Sequence, residues 1–261
     1  MKKILVTGSN GQLGKCLQDV VMAKNNNQFQ FLFFDRSHLD ISNQGLVESF
    51  FFSNKIDYVV NCAAYTAVDL AETEVEQAFK INSDGVKYLA EQTFEQGAKF
   101  IHVSTDYVFD GSADKPYLPN DEPNPINVYG KSKWEGEKWA LELNPRSFVI
   151  RTSWVYSQYG KNFYTTMTKL MAERDELNIV ADQIGKPTNA NDLAEYIYSL
   201  IESDSEEFGI HHFSGEDQMS WFEFAQKIAA ENGFSTKLNP ITTAEYPTPA
   251  KRPMWSVLGK L

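Results

Sequence analysis

Near the N-terminus, Lys2-Lys3-Ile4-Leu5-Val6-Thr7-Gly8-Ser9-Asn10-Gly11-Gln12-Leu13-Gly14 decides the fold. Lys2 to Thr7 is a short buried-strand pattern, and a helical pattern follows the last glycine through Ala23. Glycines at 8, 11 and 14 permit a tight turn, close backbone approach to a pyrophosphate, and close helix packing. The start of the helix then offers unpaired N–H groups to the phosphates. Glycines alone are weak evidence. Between a strand and a helix, at this spacing, they form the G-x-x-G-x-x-G variant of the dinucleotide fingerprint.

Outward from this loop the chain alternates strands and helices. A second strand, Phe29 to Phe34, ends at Asp35-Arg36. An acid about 20 residues past the glycines bonds an adenosine ribose 2′-OH and favours NAD, whereas an arginine there accepts the 2′-phosphate of NADP. Both are present, so NADPH and NADH stay open. Leu39-Asp40-Ile41-Ser42 reads as a helix cap beside the adenine edge. Ile56 to Val60 is a third strand, running into Asn61-Cys62-Ala63-Ala64, small residues that let a nicotinamide ribose approach the backbone; Tyr65 to Asp69 would then cover the site. A long helix over about 74–96 leads to the strand Lys99 to Val103 and to Ser104-Thr105. The alternation predicts an α/β doubly wound parallel sheet of the Rossmann type, with ligands at the C-terminal strand ends, where every polar cluster named so far falls. Its dinucleotide-binding domain should cover 1–155, with segments near 190–215 returning to it. Residues 156–261 should form most of a smaller C-terminal α/β substrate-binding subdomain.

The chemistry points to the helix Val128 to Leu143, which follows a loop at 110–127 long enough to suggest function. Tyr129 and Lys133 are four residues apart and share one helix face. Such a pair is usually a surface pair; here a dinucleotide loop and a hydroxyl-rich strand end precede it. A neighbouring ammonium should pull the phenol's pKa down from about 10. A hydroxyl from Ser104 or Thr105 would hold a substrate oxygen against it. With a hydride source this is a device for interconverting a carbonyl and an alcohol.

After the strand Phe148 to Thr152 the pattern loosens. A helix is expected from Lys161 to about Ala172, a strand at Asn178–Ala181, a helix at Asn191–Ile201 and a strand at Gly209–Phe213. A further helix, Ser220 to Asn232, should bury Trp221, Phe224 and Ile228 as core. His211 and His212 read as strand residues rather than metal ligands, and Tyr246 to Pro253 as an extended linker or phosphate contact.

Composition narrows the function classes. Thirty-five acidic against 24 basic residues leave a net charge of −11, which argues against a nucleic-acid or membrane-surface partner. Cys16 and Cys62 have no metal-ligand spacing and make no disulfide framework, so a reducing compartment is expected. No apolar run is long enough for a signal peptide or a membrane span, and the chain reads as cytoplasmic.

Together the motifs resemble the extended short-chain dehydrogenase/reductase superfamily and, within it, the dTDP-4-dehydrorhamnose reductases. The marks are GSNGQLG at Gly8–Gly14, AAYTAVDLAE at Ala63–Glu72, STDYVFDG at Ser104–Gly111 and NVYGKSKWEGE at Asn127–Glu137. RTSWVYSQYGKNF at Arg151–Phe163, DQIGKPT at Asp182–Thr188 and YPTPAKRP at Tyr246–Pro253 complete them. The resemblance implies reduction of the C4 ketone of a dTDP-4-keto-6-deoxy sugar by NADPH or NADH, with Thr105, Tyr129 and Lys133 as the catalytic triad. It places Gly8, Asn10, Gly11, Gln12, Leu13 and Gly14 along the pyrophosphate, Asp40 and Ile41 near adenine, and Ala63, Ala64 and Tyr65 on the nicotinamide side. Val68, Asp69, Thr105, Asp106, Tyr107 and Trp154 would surround the sugar, with Asn162, Phe163, Gln183 and Arg252 at the nucleotide diphosphate. Relatives have been associated with Mg2+ held by acidic residues at a dimer contact; one such position is here Cys16, so a homodimer is allowed but its metal bridge is not expected. The chain also stops at Leu258-Gly259-Lys260-Leu261, where relatives usually continue, implying a shortened chain or a smaller substrate cap. Two rivals share these motifs. Another nucleotide-sugar reductase, epimerase or dehydratase is one, although a dehydratase places Asp-Glu where Asp106-Tyr107 stands. The other is a non-enzymatic protein like the regulatory subunit of methionine adenosyltransferase.

Overall fold

The structure, a computed structural model, describes residues 1–260; Leu261, the end of the C-terminal run discussed above, lies outside the described residues. Strands β1 (Lys2–Thr7), β2 (Phe29–Phe34) and β3 (Tyr58–Asn61) alternate with helices α1 (Gln12–Lys24) and α2 (Gln44–Ser53). Short helices α3 (Val68–Ala71) and α4 (Val75–Phe79) precede α5 (Gly85–Glu95). Then come β4 (Lys99–Thr105), α6 (Val128–Leu143), β5 (Ser147–Thr152), β6 (Val155–Tyr156), α7 (Phe163–Glu173), β7 (Glu176–Val180), β8 (Ile184–Gly185) and β9 (Thr188–Asn189). The chain ends with α8 (Ala190–Glu202), β10 (Gly209–His212), β11 (Met219–Ser220), α9 (Trp221–Asn232) and β12 (Lys237–Ile241).

Six strands form one sheet in the order β10-β5-β4-β3-β1-β2, and all its pairs are parallel. The central strands are continuous apolar runs because helices cover both faces: Ile4, Leu5 and Val6 in β1 are all fully buried. Alternate residues of β1 enter different cores. Ile4 and Val6 pack with α1 and α8 residues such as Leu17 and Ile197; Leu5 packs with Val47 of α2, Leu89 of α5 and Ala140 of α6. The order reverses between β2 and β3 on either side of β1, so a crevice opens where β1 and β3 end.

A second, smaller core lies in the C-terminal half. β7 and β12 pair in parallel, and Leu177 and Ile179 pack with Met167 and Met171 of α7 and with Phe224 and Ile228 of α9. Strand β12 lacks a strong sequence signal and was not expected, and helix α2 was announced only by the cap read at Leu39–Ser42, one residue before its N-cap Asn43. Pro240 interrupts the β12 pattern, and α2 carries only one clear marker, the Asn43 side chain that accepts from the Leu46 amide at 3.2 Å.

The helix expected over about 74–96 runs without interruption from Val75 to Glu95 but carries a π-helical turn at Lys80–Asp84. The turn aims the Asn82 side chain across to the Tyr65 backbone, donating to its carbonyl at 3.0 Å and accepting from its amide at 2.8 Å. Asn82 Nδ2 also donates to the Ser132 hydroxyl of α6 at 3.0 Å. An ordinary helix would place this side chain elsewhere, leaving the Tyr65 peptide groups without partners.

Candidate active site

Two cavities meet the C-terminal edge of the sheet. The first, of about 590 Å³, is lined by Gly8, Asn10 and Gly11, by Asp35 to Ser37, by Leu39 to Ile41, and by Cys62 to Ala67. Gly8 sits at φ +67, and a Cβ there would lie 2.5 Å from the Ala63 backbone nitrogen, so no side chain fits between the two strand ends. Helix α1 starts without a side-chain cap, which leaves its first amides for a ligand. Bare backbone, an uncapped helix start and a neighbouring cavity fit a dinucleotide pyrophosphate.

Two residues expected on the pyrophosphate have other work for their side chains. Leu13 is buried in the core, and Gln12 donates to the Val155 carbonyl at 3.1 Å, tying the glycine loop to β6. Only their backbone amides remain for phosphate. Cys16 is wholly buried under α1, so its side chain faces the core rather than a surface where a metal could bridge subunits.

Asp35 and Arg36 both line the cavity but differ in availability. Asp35 Oδ1 takes the Ser37 hydroxyl at 2.6 Å and His38 Nδ1 at 2.7 Å, while Oδ2 takes Asn10 Nδ2 at 2.5 Å. Hydrogen bonds from Ser37 and His38 hold this carboxyl down to about 2. Arg36 makes one exposed bridge, to Asp40 at 3.1 Å, and its side chain is 70% exposed.

The second cavity is a cleft of about 820 Å³ between the main sheet and the smaller core; Asp69, Tyr107, Phe163, Gln183, Trp221 and Arg252 are in its wall. The segment 62–69 runs from one cavity to the other. Arg252 binds Asp69 in a bidentate pair at 2.5 and 2.9 Å. One of the two cations of the 246–253 segment is thus already paired, 183 residues away in sequence from its acid. Trp154, held at φ +49, does not line the cleft directly; it stacks on Trp221 with ring centroids 3.5 Å apart. Trp221, expected as core, packs against the smaller core while its other side forms cleft wall; Phe224 and Ile228 are buried. Trp221 has an indole N–H that needs a partner, and it finds Gln183 Oε1 at 3.2 Å. The Asn162 side chain has partners of its own. It caps α7 in a capping box with Thr165 and donates to the Ser157 carbonyl at 2.8 Å.

Beside these cavities stand Thr105, Tyr129 and Lys133. Helix α6 begins at an Asn127 cap, whose side chain accepts from Gly130 at 2.7 Å. A Cβ on Gly130 would lie 2.1 Å from the Tyr107 carbonyl oxygen, so the glycine lets the first turn of α6 press against the end of β4. That contact packs Tyr129 edge-on against Tyr107, with ring centroids 5.8 Å apart. Thr105 Oγ1 accepts from the Tyr107 amide at 3.2 Å and donates to Asp106 Oδ1 at 3.1 Å. Burial pushes the Asp106 carboxyl up to about 7. The hydroxyls of Ser104 and Thr152, buried at the ends of β4 and β5, have no partner among the described residues.

The relation between Tyr129 and Lys133 departs from expectation. Lys133 is buried and Tyr129 half-buried on α6, and among the described residues no hydrogen bond joins them. Desolvation pushes the Tyr129 phenol up to about 12. It also brings the Lys133 amine down to about 8. Lys133 Nζ donates to the Val103 carbonyl at 2.7 Å, on the sheet side. Desolvation disfavours each charged form more than the pair favours it, so the phenol stays protonated at neutral pH.

Residues 1–260 match the RmlD substrate binding domain family. A dTDP-4-dehydrorhamnose reductase of Aggregatibacter actinomycetemcomitans is 44% identical, over 99% of this chain and 90% of that one. The chain belongs to the dTDP-4-dehydrorhamnose reductase family. Its fold is that of solved members. A dTDP-4-dehydrorhamnose reductase from Bacillus anthracis in complex with NADP superposes with a TM-score of 0.95 at 40% identity, covering 99% of this chain and 91% of that one. One from Clostridium acetobutylicum gives 0.94 at 43% identity, covering 98% and 90%. Family membership covers both cavities and the α6 pair at once, since the matched residues span the described chain.

Proposed function

We propose that this chain reduces the C4 ketone of dTDP-4-dehydro-L-rhamnose to dTDP-L-rhamnose, with NADPH as the preferred cofactor. The observation that carries the reading is the Tyr129 phenol packed edge-on against the cleft-wall residue Tyr107, on the first turn of the helix that presses against the end of β4 where Thr105 stands. Gly8, Asn10, Gly11 and the first amides of α1 would hold the pyrophosphate, Asp40 and Ile41 the adenine edge, and Ala63 to Tyr65 with Lys133 the nicotinamide ribose. When bound, the reduced nicotinamide supplies a hydride. Tyr129 then gives its proton to the ketone oxygen as the alcohol forms, a role that needs the neutral phenol. Thr105, at the end of β4 beside Tyr107, would orient that oxygen. The domain of the parallel sheet would carry the cofactor, and the smaller core around α7 and α9 would close over the sugar nucleotide, with Phe163, Gln183 and Arg252 in contact with it. Asp106 is followed by Tyr107 rather than a second acid, which disfavours dehydratase chemistry.

The direct test supplies dTDP-4-dehydro-L-rhamnose with each reduced cofactor and follows loss of nicotinamide absorbance. Consumption of cofactor with formation of dTDP-L-rhamnose is expected, and no consumption with either cofactor would refute the reading. The cofactor preference rests on Arg36, exposed in the cavity wall while Asp35 is held by its own turn. Arg36→Ala should raise the KM for NADPH about tenfold, the scale of one lost charge-assisted hydrogen bond, and leave the KM for NADH nearly unchanged.

A further inference from the structure

Under the Tyr129–Lys133 pair the central sheet holds polar side chains that the proposed reduction does not use. Thr7 ends β1, Asn61 ends β3 and His102 lies on β4, at 1%, 0% and 0% exposure. Neighbouring sheet positions hold Val, Ile and Phe, and buried polar groups are costly unless fully bonded.

These three form a directed chain. The Thr7 hydroxyl donates to Asn61 Oδ1 at 2.7 Å, and the Ala63 backbone N–H donates to the same oxygen at 3.2 Å. A backbone N–H can only donate, so it fixes which end of the Asn61 amide faces the glycine loop. The other end, Nδ2, lies 3.1 Å from His102 Nδ1 and must donate to it. The ring proton therefore sits on Nε2. That nitrogen is 3.4 Å from Lys133 Nζ, which is already bonded to the Val103 carbonyl.

Resting on the reductase reading above, we propose that His102 is a positioning residue for Lys133: Asn61 locks its ring in the Nε2–H tautomer, and that N–H, unable to accept, leaves the amine's remaining donors to the cofactor and Tyr129 side. An acceptor at this place would draw one of those donors into the sheet. The glycine loop takes part as well, because Ala63 both sets the Asn61 amide and lines the cofactor cavity.

The arrangement has an electrostatic consequence with a definite sign. An N–H dipole aimed at an ammonium disfavours the charged form and reinforces the effect of burial on Lys133. Glu137, one turn along α6 and itself paired with Arg151 of β5, acts in the opposite sense, as does Cys62 beyond β3. Tyr129 on the same helix stays protonated, and His102 stays neutral because burial and Lys133 hold it well below its usual value. Replacing the ring N–H by carbon should therefore make Lys133 hold its proton to higher pH.

Two measurements test this. In nitrogen-15 histidine-labelled protein with NADP+ bound, NMR correlations should show His102 with Nε2 protonated and Nδ1 bare from pH 6 to pH 9, a range set by the lysine and histidine titrations. The opposite tautomer, or a ring that protonates within that range, would overturn the proposal whether or not the enzyme turns over. In pH profiles of kcat/KM, His102→Phe should move the alkaline limb upward by roughly half to one unit relative to the unaltered chain. Lower activity with an unmoved limb would mean that His102 only packs, and the proposal would fail. An unaltered chain that consumes no reduced cofactor defeats the reductase reading instead, and the NMR result then decides the tautomer alone.

Discussion

Tyr129→Phe should lower kcat by about 100- to 10,000-fold, the range for losing a positioned acid, while dinucleotide affinity stays nearly unchanged. The ring keeps its edge-on contact with Tyr107, so the fold of α6 should not change. Thr105 keeps its bonds to the Tyr107 amide and to Asp106. The cavity around Gly8, Asp35 and Ala63 is built from other residues, which is why cofactor binding should survive. Nicotinamide absorbance gives the rate and a fluorescence titration gives the affinity. A variant with full activity would remove the phenol from the mechanism. Because burial holds the phenol near 12, its ionisation should not limit the unaltered chain at neutral pH; the nearer titrations are Lys133, about 8, and Asp106, about 7.

The second large effect is on stability. Glu137→Gln should destabilise the protein by about 3–5 kcal/mol, read as a lower denaturation midpoint in urea followed by circular dichroism. Glu137 and Arg151 are 2% and 1% exposed; Arg151 Nη2 donates at 2.7 Å and Nε at 3.0 Å to the Glu137 carboxylate. Arg151 also donates to the Pro119 carbonyl at 3.3 Å and lies over the Phe109 ring at 5.1 Å. The pair therefore joins α6, which bears Tyr129 and Lys133, to β5 and to the 110–127 loop. Glutamine keeps the shape but leaves a buried guanidinium without its counter-charge, and this is the main cost. The double replacement Glu137→Leu with Arg151→Met should recover most of the loss, since a well-packed apolar pair needs no counter-charge. If Glu137→Gln unfolds at the same urea concentration as the unaltered chain, the ion pair contributes nothing to stability.

The same contrast separates what could be read along the chain from what could not. The glycine loop, the strand ends at Asn61 and Thr105, and the Tyr129–Lys133 spacing are local patterns. Each depends on turn chemistry or on a repeat within a few residues, so the sequence by itself determined the alternating α/β architecture and the order of its ligand-facing strand ends. Local signals were weakest where neighbours override them: α2 has little beyond the Asn43 cap, and the π turn at Lys80–Asp84 exists to bring Asn82 to Tyr65. Partnership between distant side chains was decided only in three dimensions. Arg252 is taken by Asp69, Gln12 by Val155, and Trp221 by Trp154 and Gln183. Lys133 turns to the Val103 carbonyl instead of to the phenol four residues before it. Sequence spacing fixes which residues share a helix face. The direction of a buried amine and the charge that it keeps are set by what the surrounding sheet leaves unbonded, and only the packed structure specifies that.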